Sequence, residues 1–139
     1  MGTHPVTCSS RVTIRPLHET DQDAALRLLG LDVHDTMGGG MLCLVAEYRD
    51  VVVGMLCGWL GRPYGHVQYC HLDPEASPRA RVQGFLGLHQ AFETALIRHG
   101  AAGWTAQTET GNHSMLRMLT ERGAATLPGE RVVVMRRWR

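Results

Sequence analysis

The stretch Arg81-Val82-Gln83-Gly84-Phe85-Leu86 sets a cation and a glycine three residues apart, between a strand-like run ending at Leu72 and a long amphipathic run. A tight turn ahead of a helix presents main-chain N–H groups that have no helical partner, and the helix dipole adds partial positive charge there. Such a turn can hold a phosphate or diphosphate, with Arg81 as counter-charge and Gly84 allowing close approach. The competing reading is that Gly84 only relieves crowding where a helix begins. His71 and Glu109 stand at strand ends on either side of this run, an imidazole and a carboxylate that can each take up a proton. The same two residues also fit as an ordinary strand-end imidazole and an exposed loop carboxylate. The eight histidines are scattered, with no HExxH, so no metal site is expected.

Composition bounds the alternatives. With 139 residues, 44% hydrophobic and 19% charged, the chain suits one globular domain with its own core. A net charge of +1 does not support nucleic-acid binding, and the basic Arg136-Arg137-Trp138-Arg139 reads as a solvated strand end. Cys8, Cys43, Cys57 and Cys70 form no CxxC pair and read as free, mostly buried thiols of a reducing compartment. No apolar run approaches the roughly 20 residues that span a bilayer. A soluble cytoplasmic protein is the expectation, with no membrane partner.

The elements that must position these residues follow from periodicity. Residues 1–10 read as a flexible tail, and 11–139 as the single domain. Arg11 to Arg15 alternates as a strand and stops at Pro16, and Thr20 or Asp21 can cap a short helix carrying Ala24, Ala25, Leu28 and Leu29. Gly38-Gly39-Gly40 reads as a flexible joint. Met41–Glu47 and Val51–Cys57 make a hairpin about Tyr48-Arg49-Asp50, and His66 to Leu72 a further strand. A helix is predicted from about Gly84 to His99, with Phe85, Leu88, Phe92 and Leu96 on one face and Gly100 closing it. Trp104 to Glu109 is a strand, Asn112 caps a last helix ended by Gly123, and Leu127-Pro128-Gly129-Glu130 turns into a final strand, Arg131 to Trp138. The fold class is therefore α/β or α+β. One mixed, mostly antiparallel sheet is flanked by about three helices, and the strands on either side of the long helix are parallel neighbours.

This order of elements resembles the GNAT (GCN5-related N-acetyltransferase) superfamily. Arg81 and Gly84 match the first and middle positions of its diphosphate loop, Q/R-x-x-G-x-G/A, while Leu86 stands where a small residue is usual. Leu44-Val45-Ala46-Glu47 followed by Val52-Val53-Gly54 is similar to the family's second and third strands. Asn112 and Gly123 are similar to its N-x₁₀-G helix signature, and Val12-Thr13-Ile14-Arg15-Pro16 to its opening.

The resemblance implies that acetyl-CoA or CoA is the cofactor, its diphosphate cradled by main-chain N–H groups of Val82, Gln83, Gly84, Phe85 and Leu86 beside Arg81. The pantetheine arm would lie between splayed strand ends, Cys70, His71 and Leu72 on one side and Gln107 to Glu109 on the other, with Asn112 alongside. An amine would attack the thioester directly, with Glu109 or His71 as candidate bases; the acceptor would be a small-molecule amine or a protein amino group. The chain departs from the family at Leu119, where a tyrosine general acid is common. Asp73 and Glu75 also put negative charge near the expected diphosphate.

A narrower resemblance, carried by Thr13-Ile14-Arg15-Pro16 and by Gly111-Asn112 through Gly123-Ala124, is to an acetyltransferase-like small internal virion protein of short-tailed bacteriophages. It implies a catalytically inactive particle or assembly protein with phage structural partners. A homodimer through the last strand is open on either reading.

Overall fold

The computed structural model describes residues 11–38, 40–109, 113–127 and 131–138. Strand β1 (Thr13–Pro16) is followed by a 3₁₀ turn (Glu19–Asp21) and helices α1 (Gln22–Leu29) and α2 (Val33–Gly38). Then come β2 (Leu42–Tyr48), β3 (Val51–Trp59), β4 (Tyr64–Leu72), α3 (Pro78–His99), β5 (Gly103–Glu109), α4 (His113–Glu121), β6 (Ala125–Leu127) and β7 (Arg131–Arg137). The strands form one sheet in the order β1-β2-β3-β4-β5-β7-β6. Every adjacent pair is antiparallel except β4–β5, which is parallel and bridged by α3. The expected fold class is what forms.

The β2–β3 hairpin turns on Arg49 and Asp50, both at positive φ (51° and 65°), the left-handed geometry of a two-residue hairpin turn. Alternation then sorts side chains to the two faces of the sheet. On one face α3 lays Phe85, Leu88, Phe92 and Leu96, all fully buried, against Leu44, Ala46, Val53, Leu56 and Val67. Each such side chain contributes about 1.5–3 kcal/mol of burial. The helix sits close because β3 carries Gly58 beneath it: a Cβ there would come within 2.7 Å of the Phe92 ring. On the other face α1 and α2 cover Val45, Met55, Cys43 and Cys57 with Ala24, Ala25 and Val33.

A buried polar cluster ties the outer half of the sheet to α3. The Glu93 carboxylate accepts from Trp104 Nε1 (2.8 Å, β5) and pairs with Arg122 Nη2 (3.1 Å, after α4) and Arg136 Nε (2.7 Å, β7). His89, one turn earlier, is buried against Phe85 and Trp104, its Nδ1 2.9 Å from the Phe85 carbonyl. Burial pushes its pKa down to about 4, so it is neutral at pH 7.

Two expectations change. Helix α3 begins at Pro78, not near Gly84: Ser77 is its N-cap, Ser77 Oγ accepts from Ala80 N–H (3.1 Å), and proline occupies the first turn. Helix α2 has no counterpart among the expected elements. It starts where Asp32 Oδ1 takes the His34 N–H (2.8 Å) and Gln22 Oε1, from α1, takes the Val33 N–H (2.8 Å). That second partner lies eleven residues away and leaves no local pattern. Asp21 does sit at the start of α1, but its carboxylate binds Arg15 (2.8 Å) and His18 N–H (2.9 Å) rather than capping the helix.

Candidate functional site

The parallel pair β4–β5 is joined for only four residues. Its ladder runs from Tyr64↔Gly103 to Val67↔Ala106 and stops, although β4 continues to Leu72 and β5 to Glu109. The cause lies on the other edge of β4. Its register with β3 shifts so that Cys57 faces Tyr69 while Gly58 faces Val67, leaving Gln68 as an extra residue. A bulge of this kind bends its strand and ends pairing. Beyond it β4 stays with β3 and β5 stays with β7. The two strands therefore present unpaired main-chain edges to each other across a widening gap, a place where an extended chain can add as a strand.

Cys70, His71 and Leu72 lie along one side of this gap and Gln107 to Glu109 along the other. Leu72 and Cys70 turn toward the α3 core. Burial pushes the Cys70 thiol up to about 12, which keeps it protonated and unreactive. His71 is exposed. Asn112 and the side chain of Glu109 lie outside the described residues. Leu119 is buried in the core.

One further group stands at the root of the gap. His66, next to the last paired residue Val67, has Nδ1 2.9 Å from Thr105 Oγ1 across the parallel ladder. Thr105 Oγ1 also reaches the Gly65 carbonyl at 3.5 Å. With the hydroxyl turned to that carbonyl, Nδ1 carries the ring proton and Nε2 the lone pair. Partial burial lowers the His66 pKa, so the ring is neutral at pH 7. The sequence offered no signal for this pair, since 39 residues separate its members.

The turn expected around Gly84 is not formed. Residues Arg81 to Leu86 lie inside α3, where each N–H has a helical acceptor. Gly84 is buried in the helix–sheet seam: a Cβ there would meet Ala46 at 3.4 Å and Leu72 and Val53 at 3.7 Å, side chains of the sheet and not a ligand. Phe85 is in the core, while Val82 and Leu86 face solvent. The helix starts at Pro78, six residues before Gly84. There Pro78 has no N–H, Ser77 Oγ occupies that of Ala80, and the Ser77 carbonyl takes that of Arg81 at 3.0 Å. Arg79 N–H is the first-turn donor left without a helical acceptor.

Beside this start a cleft of about 420 Å³ opens between the hairpin turn and the loop leaving β4, walled by Tyr48, Arg49, Val51, Asp73, Glu75 and Ser77. The Asp73 charge is already engaged, paired with Arg27 and accepting the Glu75 N–H at 2.9 Å, and the latter bond leads in holding its pKa down. Among the described residues no cluster of three His, Cys, Asp or Glu side chains is arranged to hold a metal ion. No helix among them is long and apolar enough to cross a membrane.

No protein-family model and no curated protein matches the sequence. Solved structures do match the fold. The PaiA N-acetyltransferase of Thermoplasma acidophilum, solved in complex with coenzyme A, superposes with a TM-score of 0.74 at 12% identity, covering 92% of this chain and 99% of that one. The ribosomal-protein-alanine N-acetyltransferase of Brucella melitensis gives 0.68 at 18%, over 88% and 96%. An aminoglycoside 6′-acetyltransferase type Ii gives 0.71 at 15%, over 90% and 96%. Taken with the split parallel pair, these likenesses establish that the chain has a GNAT-like fold.

Proposed function

We propose that this chain binds the pantetheine arm of an acyl-CoA in the β4–β5 gap and acts as an N-acyltransferase. The observation that carries this is the ladder ending at Val67↔Ala106 while both strands run on. The gap suits a thin chain bearing amide groups, because its walls are unpaired main-chain donors and acceptors of Cys70–Leu72 and Gln107–Glu109. CoA, when bound, supplies an activated acyl thioester. The phosphate end has less to hold it: Arg79 N–H and the side chains of Arg79 and Arg81 are what the helix start offers. Main-chain positioning in the gap therefore dominates binding.

His66 is the base this arrangement offers. Its neutral ring stands one residue from the point where the strands part, with Thr105 fixing Nδ1, so that Nε2 can take a proton from an incoming ammonium group. His71 is exposed and stands five residues further along β4, and Leu119 cannot replace a phenol as acid. The acceptor class is an amino group, on a small molecule or a protein.

The test is thermal denaturation with acetyl-CoA at millimolar concentration. Ligand at 100 times its Kd would stabilise the fold by about 2.7 kcal/mol. The midpoint is expected to rise, and Arg79→Glu with Arg81→Glu to reduce the rise only in part. No rise with acetyl-CoA or CoA would overturn the proposal. The thinned helix start and the buried Leu119 favour a second reading, a non-catalytic protein of this fold, the class to which the phage protein that the sequence resembles would belong. Binding of CoA without acyl transfer to any amine in a panel would support that one.

A further inference from the structure

The hairpin β2–β3 sets two cysteines against each other. Cys43 and Cys57 are direct partners in the antiparallel ladder. Partners in such a ladder have Cα atoms about 4.5 or 5.5 Å apart, according to which kind of pair they form. Both values fall inside the roughly 4.4–6.8 Å that a disulfide spans. The side chains share the face covered by α1 and α2, and both thiols are free. Cys70, paired with Leu56 one residue along, turns to the α3 face and cannot take the place of either.

The two thiols differ in access. Cys43 lines an opening of about 200 Å³ together with Pro16, Leu17, Met37, Met41 and Leu42. Cys57 is 1% exposed and lies behind it. Cys43 Sγ has carbonyls of Met41 and Thr36 at 3.7 and 3.8 Å. We propose that Cys43 and Cys57 are an oxidisable dithiol, in which a small disulfide oxidant entering the opening at Cys43 is converted to two thiols while β2 and β3 become covalently joined.

The chemistry divides along the same asymmetry. The interaction with Cys57 lowers the Cys43 pKa, and the interaction with Cys43 together with burial raises that of Cys57. Cys43, the thiol that lines the opening, is the attacking sulfur. Its thiolate attacks one sulfur of the oxidant RSSR, forming a mixed disulfide and expelling RS⁻, which takes up a proton. Cys57 then gives up its proton and attacks Cys43 Sγ, expelling the second RS⁻. Two protein thiols are oxidised and one oxidant disulfide is reduced to two RSH.

The experiment uses the full chain with oxidised glutathione, under conditions where circular dichroism is unchanged, followed by alkylation and non-reducing peptide mass mapping. The expected result is a cross-link between peptides containing Cys43 and Cys57. Two of the four cysteines should be lost as thiols and recovered with dithiothreitol. In Cys57→Ser a glutathione adduct should persist on Cys43, and in Cys43→Ser Cys57 should remain a thiol. Oxidation confined to Cys8 or Cys70 in the unsubstituted chain would overturn the proposal. So would a Cys57→Ser protein that takes up no glutathione at Cys43. The mapping of the unsubstituted chain decides the matter even where a variant fails to fold.

Discussion

Replacing Glu93 by glutamine tests what holds the outer strands to the rest of the molecule. The carboxylate accepts hydrogen bonds from Trp104 Nε1 and Arg122 Nη2 and is ion-paired with Arg136 Nε at 2.7 Å. Glutamine keeps one acceptor oxygen and turns the other position into a donor facing a donor. A hydrogen bond to a charged group is worth about 1.5–3 kcal/mol and a neutral one about 0.5–1.5. Losing one bond and weakening the others would sum to about 3–4 kcal/mol. The two arginine side chains are 24% and 27% exposed, so water recovers part of this. A net cost of about 2–3 kcal/mol remains. For a chain of this size that lowers the thermal midpoint by roughly 6–12 °C. Urea unfolding followed by tryptophan fluorescence, together with calorimetry, reads both quantities. Amide exchange should rise in β5 and β7 while β2 and β3 stay protected, because only the former are tied through Glu93. A loss below about 0.5 kcal/mol would mean that the cluster behaves as a surface ion pair, and the bracing argument would fail.

Gly84→Ala is expected to stabilise the fold by about 0.5–1 kcal/mol, since alanine is the better helix former and its Cβ meets ordinary contacts; a lower midpoint in calorimetry would refute the helix-seam assignment. His89 has a folded pKa near 4 against an ordinary 6.5, so the unfolded chain binds the proton first. Stability is then full above about pH 6.5 and falls as pH drops toward 4, by about 3 kcal/mol in all. His89→Leu should flatten that limb in urea titrations at a series of pH values, and an unchanged slope would contradict it. The Arg15 guanidinium holds the Asp21 carboxyl below its ordinary 3.8, so its contribution is present above that pH and is lost as pH falls through the lower folded value. Asp21→Asn should remove this acid-limb step below about pH 4, and a midpoint–pH curve parallel to that of the parent would count against the ion pair.

Periodicity and turn chemistry are local, and they were enough for much of this protein. The apolar runs Met41–Glu47 and Val51–Cys57 about Tyr48-Arg49-Asp50 marked the hairpin, and the spacing of Phe85, Leu88, Phe92 and Leu96 marked the buried face of α3. The order of strands and helices, with the crossover between β4 and β5, was legible for the same reason. The start of α3 is also written locally, in the N-cap Ser77 and the first-turn Pro78. A buried glycine in a helix seam and a glycine in a phosphate turn look identical until the neighbouring side chains are placed.

What tertiary structure alone decided is wherever two distant segments meet. The β4–β5 gap depends on Gln68 being the residue left over between two registers, and register is a property of strand pairs rather than of one strand. The meeting of His66 with Thr105, of Glu93 with Arg122 and Arg136, and of Cys43 with Cys57 has the same origin. Local preference fixes which way a side chain points along its own element; only the packing of elements fixes what it finds there.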